Sequence, residues 1–305
     1  MNKITIAICT YNRGEIISEA LQSLLNQTVP SSEFVLLIID NNSTDNTEDI
    51  LKDFSKKFAS FRIIHESKQG LSHARNRALM ECTTDWLAFL DDDAKAHPDW
   101  INTILETISC NDFDAFGGPY YAWHRYGPAP SWLPKEFGTY ESPQPYGLLT
   151  GNSYIPGGNC VINCIAAKTT GMFSTELGMN GGKCSYGEET QFFKRMGELG
   201  YRLGYVPQLK IDHCVLPYKY KMRWQLRSAF EHGKANAHTS TSIEKLLITR
   251  FLWHTCRTVI RIIKEVIHNP SKNSSSYILI KNIRPLFFDA GLLIEHYSSF
   301  KRGKK

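Results

Sequence analysis

The run Trp86-Leu87-Ala88-Phe89-Leu90-Asp91-Asp92-Asp93 decides how the rest of this 305-residue chain is read. Five apolar residues in succession suit a strand buried on both faces, as in a parallel sheet, and the three acids mark its carboxyl end. Three similar runs, residues 4–9, 34–40 and 61–65, come before it. Helical spacing fills the gaps: Ile16, Ala20 and Leu24 with Ile17, Leu21 and Leu25 in 15–26, then Ile50, Leu51, Phe54 and Phe58 in 47–58. Alternating strand and helix predict an α/β fold, doubly wound and Rossmann-like, around a mainly parallel central sheet.

Downstream the pattern loosens. Residues 117–158 are rich in Pro, Gly, Tyr and Trp and show no helical period, so they are expected to form a long functional loop over a crevice. Strands at 160–163, 202–206 and 209–211, a Gly-rich stretch at 178–187 and a helix at 188–199 complete the expected body. No internal repeat is visible.

The net charge of +5 hides an asymmetry, since residues 214–305 hold 17 Lys and Arg against 5 Asp and Glu. The expected organisation is therefore a catalytic domain at 1–215 and a basic, mainly helical extension at 216–305. The apolar run 4–9 is shorter than the about 7 to 15 residues of a signal-peptide core, and no stretch approaches the roughly 20 residues of a spanning helix. The eight cysteines include no CxxC pair, which fits reduced thiols and a cytoplasmic setting.

Open α/β sheets bind ligands at the carboxyl ends of their strands, and here those ends are polar. Thr10, Tyr11, Asn12 and Arg13 follow the first strand, Asp40 ends the second, and Asp91, Asp92 and Asp93 follow the fourth. Three adjacent acids repel one another unless something positive neutralises them, and a hard divalent cation, Mn²⁺ or Mg²⁺, carrying a diphosphate would do so. A solvated acidic turn, or a helix N-terminus that favours acids, also accounts for them. Asp40 can accept the ring N–H of a base such as uracil, while residues 40–45 equally suit the start of a helix. Arg75 and Arg77 lie early in a helix after Gly70, where arginine can neutralise a diphosphate or form a surface ion pair.

Residues 4 to about 213 resemble glycosyltransferase family 2. The resemblance rests on Thr10-Tyr11-Asn12-Arg13, Ile39-Asp40-Asn41-Asn42-Ser43-Thr44-Asp45, Gly70-Leu71-Ser72-His73-Ala74-Arg75-Asn76, Leu90-Asp91-Asp92-Asp93 and Gly187-Glu188-Glu189, in the family's order. It implies a GT-A nucleotide-sugar domain and an inverting, metal-dependent sugar transfer to a hydroxyl, in surface polysaccharide or glycolipid synthesis. It also implies residue roles: Asp40 reads the base, Thr10 and Arg75 hold the nucleotide, Asp92 faces the ribose and metal complex, and Asp93 ligates the metal, with Asp91 in support. Glu189 is the implied catalytic base, where the family more often has Asp, and Glu188 is its substitute. Gly157 and Gly158 resemble the place where backbone approaches the donor sugar, though a plain turn reads the same way. His213 resembles a histidine that completes the metal site, against the structural role a lone histidine commonly has.

The implied partners are a nucleotide-sugar donor and a saccharide or lipid-linked saccharide acceptor, and no reading motif for nucleic acid is present. Tyr120, Tyr121, Trp123, Tyr126 and Trp132 suit either stacking on an acceptor or packing within the loop. In the tail, Arg250, Arg257, Arg261 and Lys264 form one helical stripe and Leu252, Val259, Ile263 and Val266 the opposite one. A second apolar segment, 277–297, reads as broken by Pro285, and Lys301, Arg302, Lys304 and Lys305 close the chain. Such a tail either lies on the inner face of the cell membrane as a peripheral anchor or packs its apolar stripe on the body. A nucleotidyltransferase, or a non-catalytic nucleotide-sugar or membrane-binding module, would share the acids and the sheet.

Overall fold

The computed structural model describes residues 4–151, 153–179, 186–237, 249, 251–261 and 275–302. It divides into two compact units. The first unit comprises Met1–Trp123, Gly138–Gly181 and Glu188–Cys214.

Its four leading strands are the four apolar runs: β1 (Ile4–Thr10), β2 (Phe34–Asp40), β3 (Phe61–His65) and β4 (Trp86–Leu90). They pair in parallel in the order β3-β2-β1-β4, joined by the crossover helices α1 (Ile17–Leu25), α2 (Thr47–Ser55) and α3 (Leu71–Glu81). Every residue of β4 is buried, as its unbroken apolar run requires. α1 buries Ile17, Ala20, Leu21 and Leu24, one stripe at helical spacing. Each large side chain so buried is worth about 1.5–3 kcal/mol of transfer energy. A charge at Leu21 would undo the stripe.

Further along, β5 (Ala94–Ala96), α4 (Trp100–Cys110), β6 (Ala115–Gly117), β7 (Tyr120–Trp123), β8 (Gly147–Leu148), β9 (Asn159–Asn163) and α5 (Cys164–Thr170) follow. α6 (Glu188–Glu198), β10 (Leu203–Tyr205) and β11 (Ile211–Cys214) complete the first unit. Among the described residues the main sheet has eight strands, in the order β3-β2-β1-β4-β9-β6-β10-β8, with β9 antiparallel to both of its neighbours. A second sheet, β5-β11-β7, has three.

Two expectations need correction here. Residues 117–158 are not a strand-free loop: β7 and β8 lie within them and Tyr120 bridges to Tyr140. Strands of two to four residues leave too short an alternation to register against the Gly and Pro around them. The strand expected at 209–211 begins at Ile211 and runs on through His213. Leu209 closes a turn on Val206 and gives its carbonyl to the buried Asn159 side chain, so pairing starts after it.

The second unit comprises His124–Phe137, Gly182–Gly187 and Val215–Lys305. It holds α7 (Met222–Ala237), helical residues 251–261 (α8) and α9 (Ser275–Arg302). α7 and α9 meet at reciprocal glycines. A Cβ on Gly233 would fall within 1.9 Å of the Phe288 carbonyl oxygen, and one on Gly291 within 2.0 Å of that of Phe230. Only a residue without a side chain lets the two backbones approach this closely.

Pro285 does not break the tail, because α9 runs through it. Proline removes one helical hydrogen bond at a cost of about 3 kcal/mol in an isolated helix, a penalty that packing on a neighbouring helix can outweigh. Of the predicted basic stripe, Arg257 and Arg261 lie on α8, whereas Arg250 and Lys264 lie outside the described residues. In the apolar stripe Leu252 and Val259 are exposed, as are Trp253 and Ile260 beside them, while Ile263 and Val266 lie outside the described residues. Lys301 and Arg302 end α9, and Lys304 and Lys305 are not described.

Candidate active site

All the predicted site residues that the structure describes lie in the first unit, at the carboxyl ends of β1, β2 and β4 or on segments facing them. The loops after β1 and β2 are stapled together by side chains. Asn12 takes a left-handed backbone, φ 51°, which asparagine tolerates. Its N–H donates to Ser43 Oγ at 2.9 Å, and its own Oδ1 accepts the Thr44 N–H at 2.7 Å. Asp45 accepts the Gly14 N–H at 3.0 Å and both the N–H and the hydroxyl of Thr47. Asn12 therefore spends its side chain on bracing the loop. Thr10 Oγ1 and the carboxylate of Asp40 are left beneath it, buried. Thr10 Oγ1 is turned toward the Asp92 carboxylate, and Asp40 accepts the Ser43 N–H at 3.1 Å with His65 Nδ1 3.6 Å away. Tyr11 is exposed beside them.

Asn41 was not singled out by sequence, yet it organises the next element. Its Nδ2 donates to the carbonyls of Glu66 and Lys68, and its Oδ1 accepts the Gly70 N–H at 2.7 Å. That fixes the start of α3, and with it Arg75. Arg77, the other arginine of that helix, goes to Glu81 at 3.0 Å and Glu66 at 3.9 Å, the ion-pair alternative.

The three aspartates part company. Asp92 turns to Arg13, whose Nε lies 3.3 Å from its Oδ1. Burial pushes the Asp92 carboxyl up, with Arg13 opposing and the Asp93 charge adding to the rise. Asp91 and Asp93 instead converge with His213, whose Nε2 lies 3.7 Å from Asp91 Oδ2 and 3.2 Å from Asp93 Oδ1. The second sheet brings this about: β5 follows the acids directly, and its pairing with β11 sets His213 opposite Ala94. One ligand atom from each of the three lies within 4.8 Å of the others, which fits a single divalent cation. Two carboxylates and an imidazole suit Mn²⁺ better than Mg²⁺, which prefers an all-oxygen shell.

Arg75 ties this group to the later acids. The guanidinium is buried beside the edge-to-face pair of Phe89 and Phe173, 5.9 and 5.8 Å from their centroids. Its Nη1 lies 2.7 Å from Glu188 Oε1 and 3.9 Å from Glu189 Oε2, and its Nη2 lies 4.0 Å from Asp91 Oδ1. Burial and the adjacent Glu189 charge push Glu188 up, to about 8, against the pull of Arg75. Glu189 is more open as a residue, while its Oε2 is buried on the side of Arg75.

Glycines make room for this packing. A Cβ on Gly158 would lie 1.9 Å from Asp91 Oδ2, and one on Gly157 2.6 Å from Arg75 Nη2. The space beside both glycines is thus filled by the chain's own side chains. Gly178, φ 89°, approaches the Glu188 carboxyl and Ser72 Oγ in the same way.

Tyrosines that sequence did not single out complete the surroundings. The Tyr140 and Tyr154 rings meet with centroids 4.1 Å apart and planes tilted by 35°, and Tyr154 Oη lies 3.2 Å from Tyr120 Oη. Tyr120 lies 5.7 Å from the His213 ring. The signal missed was the strand that pairs Tyr120 with Tyr140. Of the other aromatics named from sequence, Tyr121 donates to Glu141 and Trp123 sits under Lys95 Nζ at 3.8 Å, while Tyr126 and Trp132 belong to the second unit.

Comparison with known proteins points the same way. The profile of Glycosyl transferase family 2 matches residues 5–169. The succinoglycan biosynthesis protein ExoM of Rhizobium meliloti is 30% identical over 259 residues, 82% of this chain and 79% of that protein. A glucosyl-dolichyl phosphate glucuronosyltransferase of Haloferax volcanii is 28% identical over 246 residues, 76% of this chain and 75% of that one. Among solved structures, S. aureus TarS 1-349 with UDP-GlcNAc superposes with a TM-score of 0.56 at 17% identity, covering 99% of this chain and 92% of that one. The mannosyltransferase PcManGT of Pyrobaculum calidifontis, with GDP-Man and Mn²⁺, gives 0.57 at 16% identity, covering 99% and 79%. At such identities the structural likeness speaks for the fold alone, which is GT-A.

Proposed function

The chain belongs to glycosyltransferase family 2, and from that premise we propose that this glycosyltransferase moves a sugar, with inversion, from a UDP-sugar to an acceptor hydroxyl in a metal-dependent reaction. The acceptor is a saccharide or lipid-linked saccharide in surface polysaccharide or glycolipid synthesis. One observation carries the reading: a single buried guanidinium, Arg75, bridges the Glu188–Glu189 pair to Asp91 of the cation group. Proton acceptor and diphosphate site are thereby held at a fixed separation, which is what a direct displacement needs.

Each residue then has work it can do. Asp40 accepts the ring N–H of the base, and Thr10, beside Asp92, helps hold the nucleotide. Asp91, Asp93 and His213 would hold Mn²⁺ or Mg²⁺ with the diphosphate, and the ion supplies charge stabilisation to the departing nucleoside diphosphate. Arg75 adds fixed positive charge beside it. Glu189, the more open of the pair, takes the proton of the acceptor hydroxyl, while Glu188 holds Arg75 in place. The Tyr120, Tyr140 and Tyr154 cluster gives the acceptor sugar an aromatic face beside His213.

A peripheral membrane contact belongs to the same reading. No helix among the described residues is long and apolar enough to cross a membrane. α8 exposes Leu252, Trp253, Val259 and Ile260 beside Arg257, the pattern of a helix lying on an anionic surface.

The test incubates the protein with a panel of nucleotide sugars and Mn²⁺, with and without EDTA, and identifies the released nucleotide. EDTA-sensitive release of UDP from one donor is expected. Pyrophosphate release would indicate a nucleotidyltransferase, and full activity in Asp93→Ala would remove the cation assignment.

A further inference from the structure

The second unit contains a cavity of about 620 Å³, within the roughly 300–1,000 Å³ range of small-molecule sites. Its wall is graded. Leu133, Ala229 and Ile280 are buried and apolar, with the buried Gln225 among them, its Oε1 without a hydrogen-bond partner, whereas Lys281, Arg284 and Pro285 are exposed and bring two cations. Phe288 and Pro285 extend the apolar wall. His232 adds a ring held rigid by stacking on Tyr186, with centroids 3.7 Å apart and planes 8° from parallel.

Arg284 is the telling residue. It is paired with no carboxylate of any described residue, and burial against the cavity wall lowers its pKa despite its partial exposure. A guanidinium with no carboxylate beside it can take an anion that offers two oxygens to its parallel N–H groups.

We infer that this cavity binds a lipid phosphate: a single hydrocarbon chain seated among Leu133, Ala229, Ile280 and Phe288, with its phosphate on Arg284 and Lys281 at the open end. Charge at the mouth selects the phosphate, and the apolar interior selects the chain. Each buried methylene multiplies affinity about fourfold. The site reaches beyond sugar transfer and does not require it, although a lipid phosphate is also what a lipid-linked acceptor carries and to that extent the inference rests on the reading above.

The test measures binding of decyl phosphate, below its micelle threshold, to the full chain by calorimetry, with hexyl phosphate, decanol and inorganic phosphate as the other arms. Saturable binding of one decyl phosphate per chain is expected, with hexyl phosphate weaker by more than tenfold and the remaining arms weaker still. Arg284→Gln should weaken decyl phosphate about tenfold or more, the worth of a charge-assisted pair. Ala229→Phe, which fills the buried end, should remove binding, and Arg257→Gln, on α8, should leave it unchanged. The inference fails if wild-type protein shows no saturable binding, if Arg284→Gln binds as wild type, or if inorganic phosphate or decanol alone binds as tightly. UDP binding with Mn²⁺, measured on the same samples, keeps the two readings apart. Absence of that signal with decyl phosphate binding intact would sink the UDP-sugar donor and leave this site standing.

Discussion

Two pairs of acids, Asp91 with Asp93 and Glu188 with Glu189, face the same crevice and are neutralised in opposite ways. The aspartates meet His213 in a group whose geometry suits an external cation. The glutamates meet an internal cation, Arg75, with Nη1 2.7 Å from Glu188. An external cation leaves with the product or a chelator, whereas an internal one is permanent and fixes geometry. The first pair therefore suits charge that appears during reaction, and the second suits a base that must stay in place.

Glu189→Gln should break this contrast most severely. Removing a general base is expected to lower kcat by about 10²- to 10⁴-fold, with the donor's Kd, measured with Mn²⁺ by calorimetry, unchanged. A matching loss in donor affinity would mean that Glu189 belongs to the nucleotide site instead.

Gly158→Ala tests the other side. The new Cβ would stand 1.9 Å from Asp91 Oδ2, so the carboxylate must leave its place beside His213. Mn²⁺ affinity should fall about tenfold or more, in line with the loss of an orienting contact at a metal site, while folding persists. Unchanged Mn²⁺ affinity would exclude Asp91 from the cation group.

Glu188 gives a pH signature. Its pKa is raised from 4.5 to about 8 in the folded chain, so the folded state holds this proton more tightly than the unfolded one. Its contribution to stability is fully present below pH 4.5 and is lost as pH rises through about 8. Glu188→Gln should flatten the fall in Tm across that window. An identical Tm profile in wild type and variant would show that Arg75 holds Glu188 ionised throughout.

Arg13→Gln should give the smallest effect. Arg13 meets Asp92 at 3.3 Å and is one-third exposed, so a severalfold rise in donor KM with little change in kcat is expected. A larger fall in kcat would place Arg13 against the reacting phosphates.

Sequence reached far into the first unit because its signals are local. An apolar run followed by acids reads as a buried strand with a polar end, and β1 to β4 lie where those runs predicted. It failed where pairing partners are distant. β7 and the Tyr120–Tyr140 bridge carry too few residues to show a period, so the tyrosine cluster stayed hidden in what read as a loop. Pro285 misled for a related reason, since a proline's cost is judged locally and repaid by packing elsewhere.

By itself the sequence determined the sheet, the family and the set of acids, because adjacency along the chain is enough to put Asp91, Asp92 and Asp93 at one strand end. Only the tertiary structure decided how those acids divide. Asp92 goes to Arg13 while its neighbours on either side join His213, because the three acids lie in a tight turn, closed by the Ala94 N–H on the Asp91 carbonyl, and the pairing of β5 with β11 brings His213 to it. Only it, too, joined Glu188 to Arg75 across 113 residues, since burying a charge requires a partner that no local pattern can name.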